Sequence, residues 1–270
     1  MTNRVAVVTG AARGQGRCHA ETLAREGFDI IAIDLCRDVD SIPYPLATPD
    51  DLEETGDLVR SLGRRAVTAI ADVRDLAELQ SCVDAGTAQL GEAYAVVANA
   101  GVVAMGKPDP VDEDVFGDIV DINLVGVWHT IAATVPSLIR GGAGGSITLI
   151  SSMQGLIGRG GDGSAAAFAY AASKHGVVGL MRSAANAYAQ NNIRVNSIHP
   201  TGVATPMIFN EHMMAVFSDP TQLSAMSGNL LPVPVVDAMD VANAVAFLAS
   251  DKARYVTGVT LPVDAGHAVM

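Results

Sequence analysis

The 270-residue sequence predicts an α/β fold, a doubly wound parallel sheet with helices on both faces. Three observations predict it. Short apolar runs of the kind found in strands buried on both faces (residues 5–9, 28–33, 94–98 and 146–150) alternate with helical stretches. A glycine-rich turn, Thr9-Gly-Ala-Ala-Arg-Gly-Gln-Gly16, stands between the first strand and the first helix. Residues able to meet a ligand (Gly10, Asp34, Asp72, Asn99, Ser152 and Pro200) fall at the carboxyl ends of strands, where open α/β sheets bind ligands.

Residues 4–9 form the first strand, and a helical stretch runs from the glycine turn to about residue 27. Strand, turn and helix in that order present backbone N–H groups and a helix N-terminus to a phosphate. Gly10 permits the tight turn, Gly14 and Gly16 let the backbone approach a pyrophosphate, and Arg13 and Gln15 lie in the same turn. Residues 28–33 form the second strand, and Asp34 ends it 18 residues beyond Gly16. An acidic side chain there binds the adenosine ribose hydroxyls and repels a 2′-phosphate, which favours NAD over NADP; Leu35 follows, and Arg37 stands close enough to work against that sign. Residues 35–49 (LCRDVDSIPYPLATP) are rich in Pro and polar residues and cannot form a regular helix. Helix resumes near Asp50, with Thr48 or Asp50 as N-cap, and ends around Gly63. The connection is about a dozen residues longer than usual. It leaves the adenosine edge of the site, so it is expected either to lie over the cofactor or to be a neutral surface insertion.

Residues 65–71 form the third strand, followed by Asp72, whose carboxylate can accept from an adenine amino group, and Val73. A helix over 75–90 leads to the fourth strand, closed by Asn99-Ala100-Gly101; Asn99 braces the sheet edge and Gly101 leaves room for a ligand. Residues 112–139 read as one long helix, with Asn123 among apolar neighbours and in need of partners if buried. The fifth strand ends in Ser151-Ser152, and the sixth and seventh cover 193–198 and 258–263. The Ala-rich, Pro-free stretch 166–189 is a helix that sets Tyr170 and Lys174 on one face. A cation beside a phenol favours the phenolate, so the Tyr170 pKa is expected to fall from about 10. A phenol so tuned exchanges a proton with an alcohol or carbonyl oxygen.

Composition narrows the function. With 49% hydrophobic residues, 27 glycines, no internal repeat and no linker, residues 1–270 are expected to form a single domain with a sizeable core. A net charge of −12 without a Lys/Arg-rich block argues against a nucleic acid or anionic membrane as partner. Cys18, Cys36 and Cys82 are isolated, which suits a reducing cytoplasm. The chain enters a strand pattern at once, without a signal-peptide layout, and has no uninterrupted apolar run of about 18 residues. The histidines make no metal spacing, so no catalytic metal is expected; His175 is expected to face away from Tyr170 and His199 to be structural. Residues 207–231 (Met207, Ile208, Phe209, Met213, Met214, Phe217, Met226, Leu230, Leu231) form an apolar, Met-rich stretch expected to close over substrate. Met153, Gln154, Leu156 and Ile157 are expected on the opposite wall. The absence of an obvious Arg or Lys there points to an apolar secondary alcohol or ketone.

Together these pieces resemble the short-chain dehydrogenase/reductase family: Thr9-Gly10-x-x-x-Gly14-x-Gly16, Asp72-Val73, Asn99-Ala100-Gly101, Asn123, Ser152, Tyr170-x-x-x-Lys174, Arg194-Val-Asn-Ser-Ile-His-Pro200 and Tyr255-x-Thr-Gly258. The resemblance spans almost the whole chain and implies a Rossmann-like seven-stranded sheet, a homotetramer and a catalytic tetrad. In that tetrad Tyr170 is the acid/base. Lys174 lowers its pKa and holds the nicotinamide ribose, Ser152 polarises the substrate oxygen, and Asn123 positions a water. It also implies that the Val203 backbone and the Thr205 hydroxyl hold the carboxamide. Ser152 rather than Ser151 is expected to face the site, since alternation along a strand allows only one. More narrowly, the insertion from Asp34 to Leu52 with Leu62-Gly-Arg-Arg65, together with Lys174-His-Gly-Val-Val-Gly-Leu-Met-Arg182 and His199-Pro-Thr-Gly-Val203, resembles the actinobacterial carveol dehydrogenase-like branch. That resemblance implies a tightly held NAD coupled to a peptide-derived redox carrier, mycofactocin. The alternatives are a freely NAD-exchanging alcohol dehydrogenase and a non-catalytic NAD sensor. Three departures from the family pattern bear on substrate shape: Thr201 and Ala265 in place of usual glycines, and a glycine-rich insert over 158–163.

Overall fold

The computed structural model describes residues 4–105, 109–158, 161–218 and 228–270. Seven parallel strands form one sheet in the order β3-β2-β1-β4-β5-β6-β7. They are β1 (Arg4–Thr9), β2 (Phe28–Asp34), β3 (Ala66–Ile70), β4 (Ala93–Ala98), β5 (Gly145–Ile150), β6 (Ile193–Pro200) and β7 (Thr260–Val263). In β1, Val5 and Val7 enter one core while Ala6 and Val8 enter the other, the period-two alternation of a strand covered on both faces. One core packs the sheet against α3 (Leu76–Leu90), α4 (Glu113–Val120), α5 (Gly126–Gly141) and α6 (Ala165–Tyr188). The other packs it against α1 (Gly14–Arg25), α2 (Pro49–Ser61) and a helix over Ala238–Ala249. Strand order reverses between β1, which pairs with β2 on one side, and β4 on the other. That switch point opens a crevice at the strands' carboxyl ends. The chain is a single Rossmann-like domain.

Local chemistry explains most boundaries. α2 starts at a capping box in which the Thr48 hydroxyl accepts from Asp51 N and the Asp51 carboxylate accepts from Thr48 N, with Pro49 in the first turn. Asp75 caps α3 through Ala77 N and Glu78 N, and Ser164 caps α6 through Ala167 N.

Three features depart from the expectations. The stretch 112–139 is not one regular helix: a π turn, Asp121–Val125, separates α4 from α5 and contains Asn123. Such bulges concentrate at functional sites. The stretch Glu113–Gly141 is apolar and long enough to cross a membrane by length and composition alone, yet most of its apolar part is packed inside the domain. Two helices escaped the sequence reading, α7 (Glu211–Phe217) and α8 (Ala238–Ala249). The signal for α8 was present, an Asp237-x-x-Asp240 capping box ahead of an apolar run. Finally, β6 runs on to Pro200, and β7 begins at Thr260 rather than Gly258.

Candidate active site

The switch-point crevice encloses about 910 Å³, counted with its open mouth. Gly10, Arg13, Gly14, Gln15, Gly16, Asp34, Leu35, Asp72, Val73, Asn99, Ala100, Gly101 and Thr205 line it, thirteen of the residues selected from sequence for cofactor binding. Pro200, Val203, Tyr170 and Lys174 do not. Pro200 ends β6 opposite Val263, and Val203 is buried in a bridge to Val236.

The turn after β1 is built for close approach. A Cβ on Gly16 would lie 1.9 Å from the Gly10 carbonyl oxygen, and one on Gly10 would lie 2.8 Å from the Ala100 Cα. Asn99 holds the turn from the neighbouring strand, its amide donating to the Thr9 and Gly10 carbonyls at 3.0 and 3.1 Å. No side chain caps the α1 N-terminus and no acidic residue occupies its first turn, so its free N–H groups face the crevice. At the β2 end, Asp34 accepts from Ala12 N (2.9 Å) and Cys36 N (3.2 Å). Arg37 does not stand against Asp34 but pairs with Asp72 at 3.3 Å. The Asp72 carboxylate also accepts from the Arg74 side chain and backbone. Burial pushes its pKa up, but these bonds and charges outweigh burial and hold it below the usual carboxylate range. Much of its accepting capacity is therefore spent on arginines. An uncapped helix N-terminus, a ribose-facing carboxylate and a glycine turn without Cβ atoms fit a dinucleotide.

Residues 35–48 are packed and bonded rather than free. Val39, Ile42, Tyr44 and Ala47 are buried. Asp38 accepts from Leu46 N (2.7 Å), Ser41 donates to Asp118 (2.6 Å), and Arg13 donates to the Pro45 carbonyl (2.6 Å). The Tyr44 hydroxyl accepts from Val103 N at 3.2 Å. Tyr44, Leu46 and Ala47 line the crevice. Sequence reasoning located this segment at the adenosine edge but did not single out Tyr44, since a tyrosine between two prolines carries no periodic signal.

The catalytic candidates lie next to the crevice, beside Gly101. Lys174 is 4% exposed; its ammonium donates to the Ile150 carbonyl at 3.1 Å and lies 5.7 Å from the centre of the Tyr170 ring. Burial pushes its pKa down to about 8. The Ser152 hydroxyl accepts from Gln154 N at 3.1 Å, and its side chain beside Tyr170 pulls the phenol pKa down. Burial nevertheless raises the Tyr170 pKa, which corrects the expected fall: desolvation of the phenolate outweighs the Ser152 side chain. Ser151 donates to the Lys174 carbonyl at 2.9 Å, whereas Ser152 lies beside Tyr170. Asn123 is fully buried and clamps Val102, accepting from its N–H (2.8 Å) and donating to its carbonyl (2.9 Å). A Cβ on Gly101 would sit 3.2 Å from Asn123 Oδ1 and 3.5 Å from Lys174 Nζ, so these three residues adjoin. His199 is buried and bonded, the structural place expected of it. Its Nδ1–H donates to the Ser152 carbonyl (2.8 Å), which fixes the neutral tautomer, and Nε2 accepts from Ser197 (2.8 Å). Burial lowers its pKa. His175 is exposed, turned back onto Ala171 O.

On the substrate side, Met207 and Pro206 line the crevice, whereas Met153 is buried outside the lining, Gln154 and Ile157 are half-buried, and Phe209 is exposed. Within α7, Met213 is buried and Met214 exposed, and the His212 ring Nε2 meets the Met105 carbonyl at 2.5 Å. Leu230 and Leu231 are exposed. Met226 lies outside the described residues, as does part of the 158–163 insert.

Known proteins share this architecture. A family model described as Enoyl-(Acyl carrier protein) reductase matches residues 10–268. A (-)-trans-carveol dehydrogenase of Rhodococcus erythropolis is 47% identical over 97% of this chain and 96% of its own length. A solved carveol dehydrogenase from Mycobacterium avium in complex with NAD is 48% identical, covers 100% of this chain and 99% of its own, and superposes with a TM-score of 0.92. A short chain dehydrogenase from Mycobacterium paratuberculosis bound to NAD is 43% identical over 99% of this chain and 98% of its own, with a TM-score of 0.90. Crevice, tyrosine, lysine and serine thus sit on a scaffold common to all of these, and the chain belongs to the short-chain dehydrogenase/reductase family.

Proposed function

We propose that this chain is an NAD-dependent alcohol dehydrogenase that interconverts an apolar secondary alcohol, of the carveol type, and its ketone. The observation that carries the reading is the grouping of Ser152, Tyr170 and Lys174 next to Gly101, which lines a crevice that fits a dinucleotide. The name of the Rhodococcus relative supports the substrate class, and the NAD in the two solved relatives supports the cofactor. NAD, when bound, supplies the hydride acceptor. The α1 N-terminus with Gly10, Arg13, Gly14, Gln15 and Gly16 holds its pyrophosphate. Asp34 and Leu35 hold the adenosine ribose, and Asp72 and Val73 flank the adenine. Asn99, Ala100 and Gly101 form the floor, while Thr205, with the backbone of Val203 beyond Pro200, takes the carboxamide.

Each catalytic side chain has a separate task. Ser152 donates to the substrate oxygen and sets it against the Tyr170 phenol. Tyr170 takes the alcohol proton during oxidation and returns it during reduction. Lys174 brings a positive charge that favours the phenolate and holds the nicotinamide ribose. Asn123 locks Val102 and the π turn beside Lys174, and with them the water through which the proton leaves. Met207 and α7 close over an apolar substrate, and the His212–Met105 contact ties that lid to the segment following β4. Phe116, Trp128 and Phe168 are exposed on α4, α5 and α6, which supports pairing of these helices in a homotetramer. The three free thiols suit a reducing, cytoplasmic setting.

The bonded, partly buried insertion supports a tightly held NAD that passes its electrons to a peptide-derived carrier such as mycofactocin. Purified protein is denatured without added nucleotide, the supernatant is assayed for NAD(H), and native enzyme is given carveol and a dye acceptor. Stoichiometric NAD with dye-dependent turnover supports retention. Empty protein that turns over with added NAD leaves the dehydrogenase reading and replaces retention with free exchange. Enoyl reduction, the description of the matching family model, is a second reading. The three-residue gap between Tyr170 and Lys174 resembles that of the alcohol enzymes and favours the first.

A further inference from the structure

The insertion crosses the crevice from bank to bank. On one bank Arg13, in the glycine turn after β1, donates to the Pro45 carbonyl at 2.6 Å. On the other, Val103, in the segment after β4, donates its N–H to the Tyr44 hydroxyl at 3.2 Å. Two adjacent residues therefore carry the two latches. Tyr44 is 5% exposed and belongs to the same core as Val39, Ile42, Val102 and Val103 while it lines the crevice. A phenol oxygen can accept and donate at once. Among the described residues the Val103 bond is the only one its hydroxyl makes, and there Tyr44 is the acceptor. Its own hydrogen has no acceptor among the described residues, and since Tyr44 lines the crevice a ligand there can supply one. The Arg13 guanidinium beside it has no carboxylate partner among the described residues.

We propose that Tyr44 is a cofactor-binding residue supplied by the insertion, its hydroxyl donating to a sugar or phosphate oxygen of the dinucleotide while accepting from Val103. Arg13 faces the same sugar–phosphate chain from the opposite bank. Burial raises the Tyr44 pKa to about 12, so the hydroxyl keeps its hydrogen throughout the neutral range. The position of Tyr44 also joins the two halves of the site. Val102 is clamped by Asn123 and Met105 meets His212, so Tyr44 holds the same short segment that touches the π turn and α7. The proposal rests on the reading of the crevice as an NAD site and gives retention a named contact.

The test is Tyr44→Phe, which keeps the ring and removes the hydroxyl. The readouts are the dissociation rate of reduced NAD, followed by its fluorescence after dilution into excess ADP-ribose, and the Kd for ADP-ribose itself. Near-UV circular dichroism and the Tm of nucleotide-free protein report folding. A folded variant that releases nucleotide about tenfold faster, with Kd raised to match, supports the proposal. Release and Kd within twofold of wild type overturn it. Wild type that is isolated empty and exchanges within seconds removes retention alone, because the ratio of Kd values still reads the Tyr44 contact. If Tyr44→Phe does not fold, hydrogen exchange on wild type decides: the amides of Tyr44, Leu46, Ala47 and residues 102–105 become protected when NAD is added, and unchanged exchange there overturns the proposal.

Discussion

Lys174 and Ile150 are joined by a single hydrogen bond, the ammonium donating to the carbonyl oxygen at 3.1 Å, and the Lys174 side chain makes no ion pair among the described residues. A buried cation held only by a neutral acceptor is destabilising in the folded state. Its pKa falls from 10.5 to about 8. Between pH 8 and 10.5 the unfolded lysine therefore holds a proton that the folded one lacks, and wild-type stability rises with pH through that window. Below pH 8 the full cost is present. Lys174→Met is expected to unfold at higher denaturant than wild type at pH 7, by about 1–3 kcal/mol, and to lose that advantage above about pH 10. Turnover falls by more than about 100-fold in the same variant. Equilibrium urea unfolding at pH 7 and pH 10, with parallel assays, checks the pair of outcomes.

His19 predicts the acid limit. It is fully buried in α1, and both ring nitrogens lack a partner among the described residues, the nearby Asn99 amide being spent on the Thr9 and Gly10 carbonyls. Burial drives its pKa from 6.5 down to about 3. The unfolded chain thus binds a proton between pH 6.5 and 3 that the folded chain refuses, and stability falls as pH falls through that range. The loss attributable to this residue reaches up to roughly 5 kcal/mol. His19→Leu flattens the acid limb of a plot of Tm against pH; an unchanged limb would place the acid sensitivity elsewhere.

His199 positions Ser152. Its Nδ1–H bond to the Ser152 carbonyl and its Nε2 bond to Ser197 hold the serine at the mouth of β5. His199→Ala is expected to lower kcat about tenfold or more with a smaller change in KM, because misplacement of the serine affects the transition state more than apolar substrate binding. Steady-state kinetics on carveol separate the two terms. A rise in KM alone would make His199 a packing residue.

Ala265 stands where the family commonly has glycine, and the backbone there is left-handed, with φ at +50°. That conformation costs a residue with a Cβ about 1 kcal/mol. Ala265→Gly is expected to raise stability by a few tenths to 1 kcal/mol without altering turnover, measured by thermal and urea unfolding.

The parallel sheet and the crevice were legible because they rest on short-range signals. Apolar runs, the glycine turn and Asp34 each mark the end of a buried strand, and Thr48 and Asp75 mark helix starts. Asn123 was legible as a buried polar residue needing partners, but not the π turn that holds it, since the helical hydrophobic period continues through residues 119–125. The Tyr170 pKa was misjudged because i, i+4 spacing shows a neighbouring charge and not the burial that acts on both groups. Tyr44, His199 and His212 act through backbone atoms distant in sequence, Val103, Ser152 and Met105, and no periodicity encodes such pairs.

The account turns on proton exchange at Tyr170. The direct measurement is a single turnover: holoenzyme mixed with excess carveol, reduced nicotinamide followed by its fluorescence, wild type against Tyr170→Phe, with nucleotide content measured in both. The phenylalanine variant is expected to bind NAD as wild type does and to form reduced nicotinamide at least about 100-fold more slowly. In wild type the rate of alcohol oxidation rises with pH, because the raised Tyr170 pKa leaves the phenol protonated near neutrality. A Tyr170→Phe variant that reduces its bound nicotinamide within a few-fold of the wild-type rate would contradict the account.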